Sequence, residues 1–316
     1  MRLPPWVADA GYGAGWRLIR TVPEPIARAV FRMGADVATR REGPAVQQLR
    51  RNLARVIGPQ ASVEELNEAV AAGMRSYARY WLETFRLPAM DKAAVLRATR
   101  VTGLEHLRAA RDAGRGIIFA LPHSGNWDIA GLWLVQQGLS FTTVAERLKP
   151  DSLFDRFVAY REGLGMEVLP LTGGDRSPTR TLLERLRAGG TVCLLADRDL
   201  SGVGIPVDFF GERTKMPGGP ARLAASTGAA LMPVHLYFEP DGWGQWIGAP
   251  IDLGEGDLTS QVVRGTQALA DAFAAHIAEH PTDWHMLQRL WLADLVPASS
   301  EGAGTPDGDA AVAGTG

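Results

Sequence analysis

Three apolar runs of strand length end in ionisable side chains. GIIFALP (116–122) runs into His123 and SGNWD, LSFTTVA (139–145) into Glu146 and Arg147, and TVCLLA (191–196) into Asp197, Arg198 and Asp199. In an open parallel sheet, ligands bind outside the carboxyl ends of the strands, so these groups face one crevice if the strands are parallel neighbours. His123 and Asp128 are five residues apart, the first at a strand end and the second just inside the following helix. Gly125 permits a tight turn, and Ser124 or Asn126 can cap that helix. The chain can then fold back so that Asp128 accepts a hydrogen bond from one imidazole nitrogen while the other serves as a general base. The same spacing also suits a capped helix whose dipole Asp128 complements, with His123 merely exposed. Arg147 and Lys149 can meet phosphates or form surface ion pairs, and Arg198 can pair with Asp199.

Other motifs carry less. His276–Ile–Ala–Glu–His280 spells H-x-x-E-H, but Pro281 follows at once and a catalytic zinc needs a third protein ligand, so no metal site is expected. His106, His235 and His285 read as structural. No G-x-S-x-G is present, and Gly173–Gly174 lacks the Lys-Ser/Thr of a phosphate loop. Cys193 is the only cysteine, which excludes an intrachain disulfide and fits a reducing compartment.

The elements that must position these groups follow from periodicity. MEVLPL (166–171) and AALMPVHLYF (229–238) join the three runs above as strands, and helix-like stretches fill 126–137, 151–164, 176–188 and 217–227. Strands alternating with helices imply an α/β core with a mostly parallel central sheet flanked by helices. Residues 1–100 read as a helical N-terminal region, 101–296 as the α/β core, and the tail from Pro297, which has almost nothing to bury, as disordered. After Pro23 and Pro25, Ile26, Val30 and Met33 share one helical face with Arg28 and Arg32 opposite, and a second helix is expected near 63–85.

The net charge of -2 argues against a nucleic-acid partner, although the first 115 residues are net +8 and residues 116–296 net -7. No run approaches the ~20 apolar residues of a membrane-spanning helix. The basic amphipathic N-terminal region, with Trp6 and Trp16, instead suits an anionic membrane surface, so the expected location is peripheral, on the cytoplasmic face of the cell membrane.

The motifs also carry a resemblance. HSGNWD is similar to the H-x4-D/E signature of glycerolipid-type acyltransferases. The stretch from Asp197 through DFFGERTKMPGGPARLAASTGA to Met232–Pro233 resembles their lipid A biosynthesis branch, with Phe209–Phe210–Gly211, Gly219–Pro220–Ala221 and Leu223–Ala224 matching its pattern. PTDWHMLQRLW (281–291) is similar to the P-x-x-W segment with which such chains end. The three blocks fall in order across roughly 104–295. Length, Arg and Ala richness and the AERLKP segment look most like the actinobacterial members that acylate phosphatidylinositol mannosides. The resemblance implies a glycerolipid acyltransferase-like fold and transfer of a fatty acyl chain, palmitoyl for such members, from acyl-CoA to a glycolipid hydroxyl. No cofactor beyond the acyl-CoA cosubstrate is implied. It makes His123 the base and Asp128 its orienting partner, and matches Glu146, Arg161 and Asp197 to further polar site residues. Asp197 is read as catalytic with them, and Arg147 and Arg198 join Glu146 and Arg161 as expected substrate-binding residues. The apolar stretch Ile129–Val135 and the Phe209–Phe210 pair can border an acyl groove, although most of these side chains are expected to be ordinary core. Gram-negative lipid A members carry an N-terminal membrane-spanning helix that this chain lacks, which implies peripheral binding. A thioesterase, or a lipid-binding protein without catalysis, would use the same groups.

Overall fold

The computed structural model describes residues 15–16, 18–146, 151–173, 176–199 and 202–295. Its elements run α1 (Glu24–Arg41), α2 (Pro44–Ile57), α3 (Val63–Arg86), α4 (Lys92–Arg97), β1 (Thr99–Thr102), α5 (Leu104–Asp112), β2 (Ile117–Leu121), α6 (Trp127–Gln136) and β3 (Phe141–Ala145). They continue with α7 (Asp151–Glu162), β4 (Glu167–Pro170), α8 (Pro178–Arg187), β5 (Thr191–Leu195), β6 (Ile205–Phe209), β7 (Glu212–Met216), α9 (Gly219–Thr227), β8 (Ala230–Glu239), β9 (Gly242–Ile247), α10 (Leu258–Glu279) and α11 (Leu292–Leu295).

Seven strands form one sheet in the order β1-β9-β8-β2-β5-β3-β4. Only the β8–β9 pair is antiparallel, and β6 and β7 form a separate hairpin. The five contiguous parallel strands β8, β2, β5, β3 and β4 therefore deliver their carboxyl ends to one edge. Every residue of β2 is buried, as expected for a strand covered on both faces. Its side chains alternate: Ile117, Phe119 and Leu121 join α6 and Trp243 in one core, while Ile118 and Ala120 join α8, α9 and α10 in the other.

The N-terminal helices pack on this core. At the start of α3, Ser62 Oγ accepts the Glu65 N–H and the Glu65 carboxylate accepts the Ser62 N–H, a reciprocal cap that fixes where the helix begins. Further along α3 the buried Glu83 carboxylate accepts from Arg79 (2.7 Å), Asn126 Nδ2 (3.0 Å) and Trp243 Nε1 (2.8 Å), tying the helix to α6 and β9.

Helix α1 lies along α3 by its small residues, Ala27 and Ala35, with Asp36 and Arg75 paired at 2.6 Å. Three of its larger apolar side chains point the other way. Ile26, Val30 and Met33 are 55%, 53% and 62% exposed, and Leu18 before them is exposed as well. The amphipathic face read from the sequence thus turns outward. Among the described residues, no helix is long and apolar enough to cross a membrane. Trp6 and the tail from Pro297 lie outside the described residues.

Candidate active site

The parallel register of β2 and β5 pairs Leu121 with Leu195. Two residues further along each strand stand His123 and Asp197, side by side at the carboxyl edge. The imidazole Nδ1 lies 2.5 Å from Asp197 Oδ1, and the His123 backbone N–H donates to Oδ2 at 2.9 Å. Trp284 Nε1 donates to the same Oδ2 at 2.9 Å. Burial would raise the Asp197 carboxyl, but the His123 charge, its two hydrogen bonds and the indole N–H hold it below the ordinary carboxylate range. An ionised Asp197 fixes the proton on Nδ1 and leaves Nε2 as the nitrogen with a lone pair.

The hydrogen bond to the imidazole expected of Asp128 is made by Asp197 instead. Asp128 sits one residue into α6, behind the Asn126 cap, and is fully buried. Its Oδ1 accepts from Arg161 Nε at 2.9 Å, and Thr84 Oγ1 lies 3.4 Å from Oδ2. The helix carries the carboxylate under α6 toward α7, away from the imidazole. Arg161 is likewise no solvated surface charge: its guanidinium stacks 3.9 Å from the Trp127 ring. Burial alone would lower the Arg161 pKa, yet the Asp128 charge and hydrogen bond raise it.

The segment after α10 clamps the His123 turn. Ser124 bridges Trp284, the Gly125 N–H donates to Asp283 O at 2.9 Å, and the His285 N–H donates to His123 O at 2.7 Å. Gly125 has φ +54°, and a Cβ there would meet the Leu236 carbonyl carbon at 2.6 Å, so this turn needs glycine.

A cavity of about 300 Å³ opens beside His123. It runs between α6 and the sheet, lined by Ala130, Gly131, Trp133 and Leu134 on one side and Phe119, Phe141, Cys193 and Ile247 on the other. Burial pushes the Cys193 thiol up, which keeps it protonated. At the rim, Arg198 pairs with Glu146 at 3.5 Å rather than with Asp199, whose carboxylate accepts the Gly204 N–H. Arg147 and Lys149 lie outside the described residues. Phe209 and Phe210 do not border the cavity: Phe209 is buried against Phe210, Trp284 and Trp291. Within Ile129–Val135, Ile129 is core, while Ala130, Gly131, Trp133 and Leu134 reach the cavity. His276 packs on Trp246 and His280 on Tyr237, with ring centroids 3.6 and 3.9 Å apart.

Sequence reasoning missed Tyr77, Tyr80 and Trp81, which bring the end of α3 to the cavity wall, and the Trp284 indole bond to Asp197. The P-x-x-W segment was the available signal for the latter, though it does not say what the tryptophan touches.

Two buried histidines tie stability to pH. Burial pushes both His235 and His285 down to about 3, with nearby histidine charge acting in the same sense. In the unfolded chain they titrate near 6.5. Their contribution is therefore complete above about pH 6.5 and is lost as pH falls toward 3, because only the unfolded chain binds those protons. The raised Asp283 carboxyl works in the opposite direction. Unfolding free energies from urea titrations between pH 4 and 6 should show a contribution from the two rings approaching about 2.7 kcal/mol per pH unit. A flat profile there would mean that the two rings are not held neutral.

A lone-pair imidazole nitrogen backed by a buried carboxylate, at the mouth of a largely apolar cavity, is suited to deprotonating a hydroxyl beside a bound alkyl chain. The chain belongs to the bacterial lipid A biosynthesis acyltransferase family, whose model matches residues 4–293. It is similar to the phosphatidylinositol mannoside acyltransferase of Mycolicibacterium smegmatis, with 58% identity over 290 residues covering 92% of this chain and 93% of that protein. A protein of the same name from Mycobacterium tuberculosis H37Rv is 54% identical over 290 residues, 91% of this chain and 89% of that one.

Proposed function

We propose that this acyltransferase moves a fatty acyl chain, palmitoyl in the first instance, from acyl-CoA to a mannose hydroxyl of a phosphatidylinositol mannoside. The observation that carries the reading is the His123–Asp197 pair at the mouth of the apolar cavity, in a chain whose relatives bear that substrate in their names. His123 Nε2 takes the hydroxyl proton as the oxygen attacks the thioester carbonyl. The tetrahedral oxyanion collapses, the C–S bond breaks, and the coenzyme A thiolate recovers the proton from the imidazolium. No covalent enzyme intermediate and no metal or cofactor is required. The acyl chain occupies the cavity under α6. Arg198 and Glu146 meet the substrates at the rim, Arg147 is assigned to the substrates from the sequence alone, and Arg161 acts through Asp128 and Trp127 to hold the cavity wall.

Incubation with labelled palmitoyl-CoA and phosphatidylinositol mannoside, following both products, tests this directly. The expected result is an acylated glycolipid equimolar with released thiol. Free fatty acid alone would identify a thioesterase, and saturable binding without thiol release a lipid-binding protein.

The acceptor lies in a bilayer, and the outward face of α1 supplies the contact. Residues 1–100 are read as the membrane-facing region of a peripheral protein at the cytoplasmic surface. Ile26, Val30 and Met33 insert while the arginines of the same helix are drawn to anionic headgroups within a Debye length, each basic residue near the surface contributing about 1 kcal/mol. Sedimentation with phosphatidylinositol vesicles should rise with anionic lipid, fall with salt, and weaken in Arg28→Glu/Arg32→Glu. Binding indifferent to all three would refute the docking while leaving His123 untouched.

A further inference from the structure

His285 is the second histidine on the cavity wall, and the reaction above does not use it. Its backbone N–H holds the His123 carbonyl at 2.7 Å, so the two rings are carried by one joined stretch of main chain. The ring is anchored at one nitrogen. Nε2 lies 2.9 Å from Ser76 Oγ, which lies 2.7 Å from Asp283 Oδ1, and all three side chains are buried. Asp283 is an acceptor on its other oxygen as well, from the Phe238 N–H at 2.8 Å. A serine hydroxyl has one proton to give. With that proton committed to Asp283, Ser76 Oγ accepts from the imidazole, so Nε2 carries the ring's hydrogen. Burial keeps the ring neutral, with a pKa pushed down to about 3. Nδ1 is then a bare acceptor.

That acceptor has no partner among the described residues. It is also not sealed off: among the described residues, the buried side-chain atoms lacking a partner are Tyr160 Oη, His235 Nε2 and Gln245 Nε2. Nδ1 therefore keeps accessible surface, on a ring that lines the cavity. The wall around it differs from the alkyl-lined part under α6. Tyr77 and Tyr80 have ring centroids 5.5 and 5.8 Å from the imidazole, and Trp81 and Gln288 complete the surface. Aromatic faces interspersed with fixed polar atoms suit a ring that is apolar on its faces and hydroxylated at its edge.

We propose that His285 Nδ1 accepts a hydrogen bond from a sugar hydroxyl neighbouring the one that His123 deprotonates, making His285 a specificity-determining residue for the acyl acceptor. This rests on the reading that the acceptor is a glycolipid, and names the group that selects it. A simple lipid alcohol without the neighbouring hydroxyl leaves the nitrogen unpaired, and sites built to bond a hydroxyl discriminate strongly against analogues that lack it.

Two substitutions separate the ring's two nitrogens. In His285→Gln the side-chain amide nitrogen reaches the Nε2 position and keeps the Ser76 bond, but nothing accepts at Nδ1. In His285→Asn the amide oxygen takes the place of Nδ1. Initial rates are measured with palmitoyl-CoA and phosphatidylinositol mannoside, each varied in turn. The Gln variant should raise KM for the glycolipid by about tenfold or more with KM for palmitoyl-CoA unchanged, and the Asn variant should recover most of the loss. A wild-type glycolipid KM in His285→Gln overturns the assignment, as does a parallel rise in both KM values, which would mark a packing role. If the wild-type enzyme acylates no glycolipid, the acceptor class itself is wrong and this assignment falls with it; transfer by the wild type with an unaffected Gln variant removes the assignment alone.

Discussion

His123→Ala is expected to lower acyl transfer by about 10²–10⁴-fold, the usual worth of a positioned base. Asp197→Asn should fall nearly as far, because an amide no longer fixes the proton on Nδ1, and the imidazole then presents the wrong tautomer. Initial rates of labelled acyl transfer measure both, with circular dichroism confirming that the fold is unchanged. Asp128→Asn is the contrasting variant. Its carboxylate is bonded to Arg161 and not to the imidazole, so its rate should fall less than that of Asp197→Asn. The reverse ranking would show that the His123–Asp197 contact is not the operative one.

Arg161→Ala should be the costliest of these substitutions for stability. It leaves the fully buried Asp128 carboxylate without its cation and strips the Trp127 ring of its stacking partner. Removing one member of a buried pair typically costs about 3–5 kcal/mol, since the other charge remains desolvated. Urea unfolding should therefore show a large drop in midpoint for Arg161→Ala. The double variant Arg161→Met/Asp128→Leu should recover much of it, because well-packed apolar replacements of a buried pair are often neutral. A single variant as stable as the parent would mean that water reaches Asp128.

The central strands were legible because β2, β3, β4, β5 and β8 are apolar runs bounded by turns, and they fall within a residue or two of where the periodicity places them. Strand β9 was not: GWGQWI has two glycines in six positions and reads as a turn. Nor was β1, whose four residues TRVT alternate between half-buried and exposed. The sequence put His123 and Asp197 at strand ends and therefore in one crevice, but it could not pair them. That pairing depends on β2 and β5 being hydrogen-bonded neighbours in a given register, 74 residues apart in the chain, and nothing local encodes it. Asp128 attracted the orienting role because five residues is a distance that sequence can see. The outward turn of Ile26, Val30 and Met33 was hidden for a different reason. Periodicity shows that a helix has an apolar face, while Ala27 and Ala35, too small to look like a packing surface, decide which face meets α3.

The clamp of residues 283–285 on the His123 turn sets an order of events during synthesis. The imidazole, its strand and the Asp197 carboxylate leave the ribosome well before Asp283, Trp284 and His285, which hold the turn through main-chain bonds and the carboxylate through the indole. At ordinary elongation rates the interval between His123 and Trp284 is about ten to thirty seconds. Throughout it, the nascent chain carries the outward apolar face of α1 but an unclamped His123 turn. A chain released early therefore exposes that apolar face without a completed His123–Asp197 pair, and the pair gains its full set of bonds only when Asp283, Trp284 and His285 close over the turn.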